Sequence, residues 1–325
     1  MPGLTLSVVI VTYNREQVLV DTITHLLEQA PDCDGFEELI VVDQSERHEQ
    51  ATDTSLQTWH QRGAIRWLRL PAPDLTGAMN RGLLEAASDL VLYVDDDIIP
   101  GPQLLARHVA AHQDKPGLAA VVGQVLQPGQ SPEDLAYQPT GSHLRRHMDF
   151  PFRSTRACHV ENVMAGNLSI NRTRAVAAGG FDENFGPPVA SRFESEFAKR
   201  LVRRGERIWF EPGASIRHLA ASSGGTRSAG SHLDSASPRY GVGDYYFAMR
   251  QGAGWDCFSY CVRRFFREVR TRFHLRHPWY IPVKLLGELR AVRLAAQLYR
   301  REPKLLSMRN AETAAGHPLA SRPLN

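Results

Sequence analysis

The chain has 325 residues, 42% hydrophobic and 22% charged, with a formal net charge of +3. That is room for one large α/β domain, or one domain plus an appendage, with the composition of an ordinary soluble globular protein. Four cysteines in such a length exclude a disulfide framework, and no segment approaches the roughly 18 to 20 uncharged apolar residues of a bilayer span. The charge is unevenly spread. Residues 255–310 hold 13 Lys/Arg against 4 Asp/Glu, a local +9, which leaves −6 for the remainder. A basic tail on an acidic body points to an anionic surface as partner of the tail.

The first residues, MPGLTLSVVIVTYNRE, have no basic leader and no small-residue cleavage site, and their apolar run stops near Val11. A cytosolic protein with reduced thiols is therefore expected, and Cys257 and Cys261, four apart in a helical pattern, read as core thiols.

In chain order, Leu4 to Val11 (LTLSVVIV) is a short apolar run rich in β-branched residues, the pattern of a strand buried on both faces. Leu19, Ile23, Leu26 and Leu27 then make one helical stripe. The segments ELIVV (Glu38 to Val42), IRWLRL (Ile65 to Leu70) and LVLYV (Leu90 to Val94) repeat the strand signal. LTGAMNRGLLEAAS and PQLLARHVAAHQ read as helices on either side of the last of them. This alternation predicts a parallel sheet covered by helices over the first ~125 residues. Residues 127–156, rich in Pro, Gly, His and Arg, are expected as a loop over the site. VMAGNLSINR returns to strand and turn character, RFESEFAKRLVRRG reads as a charged amphipathic helix ending at Gly205, and RIWFEPGASIRHL reads as a short strand pair. Beyond Tyr240 the pattern is helical.

Ligands of open α/β sheets sit beyond the carboxyl ends of the strands. Three strand ends here carry polar residues: Thr12-Tyr13-Asn14, Asp43, and Asp95-Asp96-Asp97. Carboxylates grouped so tightly raise one another's pKa unless a cation neutralises them, and oxygen-rich clusters of this type suit Mg²⁺ or Mn²⁺ bound together with substrate phosphates. A solvated acidic turn is the alternative reading of the triplet, and its place after a buried strand weighs against it.

In order and spacing, SVVIVTYNRE, ELIVVDQS, GAMNRGLLEA, LVLYVDDDIIP, AGNLSINR, GGFDENF and FAKRLVRRG resemble a family 2 glycosyltransferase of the GT-A fold, over roughly Leu4 to His218. No G-x-G-x-x-G follows the first strand, which counts against a dinucleotide oxidoreductase. The resemblance implies sugar transfer from a nucleotide-sugar donor with inversion, by a catalytic domain over residues 1–238. Its nucleotide-sugar-binding half would span 1–125 and its acceptor and catalytic half 126–238, followed by a helical basic extension over 239–325. It also implies that Thr12, Tyr13, Arg15 and Asp43 lie at the nucleotide base, and that Asn80 and Arg81 lie near the ribose and diphosphate. Asp95, and with less definition Asp96, would contact the donor. Asp97 would hold Mn²⁺ or Mg²⁺, with His218 completing the metal shell. Many relatives carry Glu-Asp before the R-L-x-x-x-G helix, with the Asp as base; this chain has Phe193-Glu194 there, so Glu194 is the expected base and Glu196 the reserve. Gly179-Gly180-Phe181-Asp182 would shape the acceptor side.

The segment SSGGTR (Ser222 to Arg227) reads either as a flexible surface loop or as a diphosphate contact, its glycines allowing backbone approach and Thr226 and Arg227 adding donors. In the tail, Phe258, Val262, Phe265, Phe266, Val269 and Phe273 follow helical spacing between Arg263, Arg264, Arg267, Arg270 and Arg272. That pattern fits an anionic membrane surface, or a stripe packed on the catalytic domain. No recognised motif accompanies the charge, so nucleic acid is not expected as a partner. The resulting expectation is a metal-dependent inverting hexosyltransferase, cytoplasmic or peripheral on the inner face of the cell membrane, using a UDP-sugar and a glycan or lipid-linked acceptor in polysaccharide or glycoconjugate assembly. A nucleotidyltransferase, and a degenerate transferase that only binds glycan or a partner protein, are the alternatives.

Overall fold

The computed structural model describes residues 3–189, 191–225 and 232–306. Strands β1 (Leu6–Thr12), β2 (Phe36–Asp43), β3 (Arg66–Arg69) and β4 (Leu90–Val94) pair in parallel, in the order β3-β2-β1-β4. Period-2 alternation divides their side chains between two layers. Leu6, Val8 and Ile10 of β1 and Leu90, Leu92 and Val94 of β4 face Leu19, Ile23 and Leu26 of α1 (Gln17–Gln29). Val9, Val91 and Tyr93 face the opposite layer, where α3 (Leu75–Glu85) contributes Ala78, Met79 and Leu83. Helix α3 rides close over β1: a Cβ at Gly82 would sit 2.5 Å from a Val9 methyl. Helix α2 (Gln50–Gln61) has no counterpart in the sequence reading, because it buries only Thr52 and Leu56 and so leaves no apolar stripe.

Beyond β4 the sheet is mixed. After β5 (Ile98–Pro100) and α4 (Leu104–Asp114) comes β6 (Leu118–Leu126), then β7 (Cys158–Val160), β8 (Asn167–Asn171) and α5 (Arg172–Ala177). Strand β8 inserts between β4 and β6, antiparallel to both, so the expected parallel order ends at β4. Helix α6 (Phe193–Arg203) leads into β9 (Arg207–His218), which runs parallel to β6 and antiparallel to β5 and β7. RIWFEPGASIRHL is thus one strand rather than a pair. Its Pro-Gly is absorbed as an offset in register between Gly123 and Gln124, and Gly123 permits the approach because a Cβ there would sit 2.1 Å from the Ala214 carbonyl oxygen.

Residues 127–156 do not cover the strand ends. They carry Leu144 and Phe150 into the core, Phe150 stacking edge-on against Phe210, and Asp256 accepts the Leu144 N–H. Four helices follow: α7 (Val242–Gln251), α8 (Gly254–Arg267), α9 (Arg272–Arg276) and α10 (Tyr280–Tyr299). All four cysteines are free thiols.

Helices α7 and α10 put Tyr245, Tyr246, Phe247, Ala291 and Ala295 into the core, but α8 turns much of its apolar face outward. Trp255, Phe258, Val262 and Phe266 form the exposed side of α8, whereas Arg264 on its packed side is 4% exposed. Arg264 meets Asp244 at 3.2 Å and Glu268 more closely, and Lys284 of α10 meets Glu288 at 3.2 Å and Glu268 at 3.6 Å. Of the expected stripe, Phe258, Val262 and Phe266 therefore face outward while Phe265, Val269 and Phe273 are half-buried, and α8 meets the core through Cys257, Tyr260 and Cys261 instead. The sequence pattern could not decide this, since charged and apolar faces alternate equally well either way round. No helix among the described residues is long and apolar enough to cross a membrane.

Candidate active site

The carboxyl ends of β1 and β4 meet the end of β9. Pairing of Ile98 with His218 brings His218 beside the acidic triplet, with its Nε2 3.2 Å from Asp97 Oδ1 and 3.6 Å from Asp95 Oδ2. One ligand atom from each of Asp95, Asp97 and His218 lies within 4.8 Å of the others. Two carboxylate oxygens and one imidazole nitrogen fit a divalent cation, and the nitrogen suits Mn²⁺ better than the oxygen-preferring Mg²⁺. The other Asp97 oxygen accepts the Ala221 N–H at 2.8 Å and faces Arg15 at 3.2 Å. Burial alone would raise the Asp97 carboxyl, but His218, the Ala221 N–H and Arg15 outweigh it and hold the group below its usual value, ready to bind a cation.

Asp96 points the other way. Its oxygens accept from Thr12 Oγ1 at 2.8 Å and Arg15 Nε at 3.0 Å, and burial pushes its pKa up to about 6 against the pull of those two partners. Arg15 also donates to the carbonyls of Ala221 and Ser223, so one guanidinium ties β1's end, the triplet and the chain after β9 together. Gly224 and Gly225 lie on that junction: Gly225 donates its N–H to the Tyr13 carbonyl at 2.9 Å, and a Cβ at Gly224 would sit 2.2 Å from the Asn14 oxygen. Thr226 and Arg227 lie outside the described residues.

A cavity of about 510 Å³ opens here, lined by Thr12, Tyr13, Arg15, all three aspartates and His218. Asp43 is fully buried and gives way in the lining to its neighbour Gln44. Its carboxylate accepts from Ser45 N–H at 2.8 Å, His48 Nε2 at 2.8 Å and Trp67 Nε1 at 3.0 Å. Burial opposes the charge, yet His48 and Ser45 keep the Asp43 pKa below normal.

A second cavity, of about 720 Å³, meets the first at Asp95 and Phe193 and has Glu194 in its wall. Glu194 stands in the first turn of α6, whose N-cap residue Arg192 lies in the left-handed region, φ 71°. Its carboxylate accepts the Ala165 N–H at 3.1 Å. Burial, with Asp95 adding repulsion, pushes its pKa up to about 7 although the Ala165 N–H and Arg192 pull it down. A carboxyl poised near neutrality can take a proton from a hydroxyl and release it later. Glu196, two residues on, faces away from both cavities: Arg200 grips it at 2.9 and 3.0 Å and Gln251 donates to it at 2.9 Å.

Asn80 and Arg81 are not brought to either cavity. The Asn80 amide brackets Phe181, accepting its N–H and donating to its carbonyl, both at 2.8 Å, and Arg81 pairs with Glu85 at 2.6 Å on the surface of α3. In the turn Gly179 to Asp182, residues 304–306 close over both glycines: Leu306 donates to the Gly179 carbonyl and Asp182 accepts the Lys304 N–H.

Three site residues were not singled out from sequence. A Cβ at Gly166 would sit 2.1 Å from Asp95 Oδ2, so only glycine lets β8's entry pass behind the triad. Arg192 and Arg239 line the second cavity, Arg239 the first as well. Nothing in the local pattern around SPRY marks Arg239; the glycine before NLSIN is the one signal that could have been found.

The sequence model of glycosyl transferase family 2 matches residues 7–176. An uncharacterized glycosyltransferase of Bacillus subtilis, YfnE, is 26% identical over 113 residues, which cover 34% of this chain and 28% of that protein. A glucosyl-dolichyl phosphate glucuronosyltransferase of Haloferax volcanii is 25% identical over 231 residues, 65% of this chain and 68% of the relative. Among solved structures, that of GalNAc-T7 with UDP, GalNAc and Mn²⁺ aligns with a TM-score of 0.57 at 15% identity, covering 86% of this chain and 58% of that one. At such identity the likeness speaks for the fold.

Proposed function

The chain belongs to glycosyl transferase family 2, and on that premise we propose that it transfers a sugar, with inversion, from a UDP-sugar to a glycan or lipid-linked acceptor. It is a glycosyltransferase with an α/β fold of the GT-A type. The observation that carries the finer reading is the meeting of the Asp95, Asp97 and His218 triad with the poised carboxyl of Glu194 around one cleft. UDP and Mn²⁺ in the GalNAc-T7 structure lend support for this donor and metal.

In the proposed reaction the donor lies in the first cavity, its nucleotide toward Tyr13 and Gln44 and its diphosphate toward the triad and Arg15. The acceptor hydroxyl enters from the second cavity. As its oxygen forms the new bond to the anomeric carbon, the bond from that carbon to the diphosphate oxygen breaks, and Glu194 takes the hydroxyl proton. Attack on the face opposite the leaving group inverts the configuration. A bound Mn²⁺ or Mg²⁺ would offset charge gathering on the departing diphosphate. Asp96 acts by positioning Arg15 and Thr12, not by meeting the metal.

For the setting, we place the enzyme in the cytoplasm, peripheral on an anionic membrane, with residues 255–310 as the contact. Support comes from the outward face of α8: Trp255, Phe258, Val262 and Phe266 are exposed, while the helix is held to the protein by Cys257, Tyr260 and Cys261 on the core and by the ion pairs of Arg264. Co-sedimentation with anionic but not neutral vesicles is expected, and equal recovery with both would remove this element.

The decisive experiment is incubation with a panel of nucleotide sugars and, in parallel, of nucleoside triphosphates with sugar phosphates, with and without Mn²⁺, read by mass spectrometry for the released nucleotide or pyrophosphate. Mn²⁺-dependent release of UDP supports the reading. Release of pyrophosphate from a nucleoside triphosphate would support nucleotidyl transfer instead.

A further inference from the structure

The wall of the second cavity facing Glu194 is rich in arginine: Arg192, Arg239, Arg264 and Arg267 all line it. Two of the four are already matched. Arg192 pairs with Asp244 at 2.9 Å, Arg264 with Asp244 and Glu268, and Lys284 with Glu268 and Glu288. Three cations thus meet three carboxylates in one network, which closes on itself where Glu288 also lies 3.7 Å from Arg264, and Tyr245 donates to Glu288 at 2.7 Å.

Arg239 and Arg267 are left over. Arg239 lies over the Tyr240 ring, 5.4 Å from its centroid, and makes no ion pair among the described residues. Arg267 is 62% exposed, and its single carboxylate contact among the described residues, 3.4 Å to Glu268, goes to a group that Arg264 and Lys284 already share. Among the described residues, neither guanidinium therefore has a carboxylate of its own; of the other two acids lining this cavity, Asp95 belongs to the proposed cation site and Glu194 accepts the Ala165 N–H.

Guanidinium forks match the geometry of phosphate oxygens, and two of them match the charge of a phosphate group. We propose that the second cavity binds a phosphate group of the acceptor between Arg239 and Arg267, so that the enzyme selects phosphorylated acceptors. The inference rests on the proposed function in taking this cavity as the acceptor side. The donor's own diphosphate is the competing occupant, because Arg239 reaches both cavities; Arg267 lines the second alone and separates the two cases. A lipid phosphate and a glycan phosphate share this chemistry. Exposed Phe266, next to Arg267 in the chain, would give a lipid chain somewhere to lie outside the cavity.

Isothermal titration of the full chain tests this, with UDP plus Mn²⁺ on one side and four probes on the other: a ten-carbon isoprenyl monophosphate, the matching isoprenol, glucose 1-phosphate and inorganic phosphate. Isoprenyl phosphate should bind the UDP- and Mn²⁺-loaded protein, Arg239→Gln and Arg267→Gln should each weaken it about tenfold or more, and Arg267→Lys should recover part of the loss. Preference for isoprenyl phosphate over the other two phosphates identifies a lipid source, and equal binding of all three identifies a soluble phosphate. The inference is overturned if no phosphate probe binds better than the isoprenol, if Arg267→Gln leaves phosphate binding unchanged, or if that variant weakens UDP instead. Failure of UDP and Mn²⁺ to bind the unaltered protein would refute the proposed function, while the probe titrations would still decide for or against a phosphate site.

Discussion

His218 Nε2 lies 3.2 Å from Asp97 Oδ1, although the two residues belong to distant parts of the chain. Antiparallel pairing of β5 with β9 sets the contact, and Asp95 completes the group. Removing either side of the pair should cost the site its cation. Asp97→Asn and His218→Ala are expected to abolish the Mn²⁺-dependent rise in melting temperature, which in the unaltered protein should correspond to roughly 2.7 kcal/mol at a hundredfold excess over Kd. Turnover should fall by about 100-fold or more, since loss of the metal removes several kcal/mol of charge stabilisation. Chelation should stop the reaction and Mn²⁺ restore it. A variant that keeps the full Mn²⁺ response would contradict this arrangement.

Glu194 should govern the acid limb of the rate profile. With its pKa near 7, the unprotonated fraction rises with pH through neutrality, so kcat/KM should climb and then level off. Saturating cation at the triad offsets the Asp95 charge and should move the limb to lower pH. Glu194→Gln should lower kcat by about 100- to 10,000-fold and abolish the limb while leaving UDP affinity intact. If the limb survives in that variant, another group is the base.

The same shift has a consequence for stability. A carboxyl whose pKa is about 7 when folded and 4.5 in its ordinary state binds its proton more tightly in the folded chain. Its contribution is present below about 4.5 and lost as pH rises through 7, so metal-free protein should weaken over that window, less so in Glu194→Gln. Denaturant titration at a series of pH values provides the check.

A second pH effect runs in the opposite sense and lies away from the cleft. His108 and His112 are buried under the sheet, His108 between Ser169 and Asn167 at 2.8 Å each and His112 on Ser169 at 3.0 Å. Burial drives their pKa values from 6.5 down to about 4 and about 3. The unfolded chain takes up protons that the folded one refuses, so stability is full above about 6.5 and is lost as pH falls below it. The slope should approach about 1.4 kcal/mol per pH unit for each histidine, and His112→Gln should reduce it. An unchanged slope would mean that these rings do not titrate as described.

Asn80 should matter for stability before it matters for binding. Its amide brackets Phe181, which packs on Phe197 and Tyr93 in the core. Asn80→Ala leaves two buried backbone groups without partners and should cost about 1 to 3 kcal/mol. UDP affinity at a temperature where the variant is folded should be unchanged, and a selective loss of UDP binding would instead support the donor contact that the resemblance implies.

Local pattern made much of the architecture legible. The apolar runs ending at Val11 and Val94 are strands buried on both faces, because β-branched side chains on a period of two need cover above and below. Polar residues directly after them had to come out at one edge of a parallel sheet, which is why Thr12, Tyr13, Arg15 and the three aspartates were found to share a cavity. Helix α2 escaped notice because two buried residues make no stripe, and the antiparallel insertion of β8 escaped because strand order is a choice among non-local pairings.

What tertiary structure alone decided is which polar groups face each other. Sequence placed Asp96 and Asp97 side by side, but the fold turned one toward Thr12 and the other toward His218, with Arg15 shared between them. It put Asn80 under Phe181 instead of in the cavity, and it pulled Arg264 inward while leaving Phe258 outside. Covalent neighbourhood and periodicity determine where a strand or helix can form. The direction of each side chain, and with it pKa and charge surplus, depends on partners supplied from the far side of the sheet.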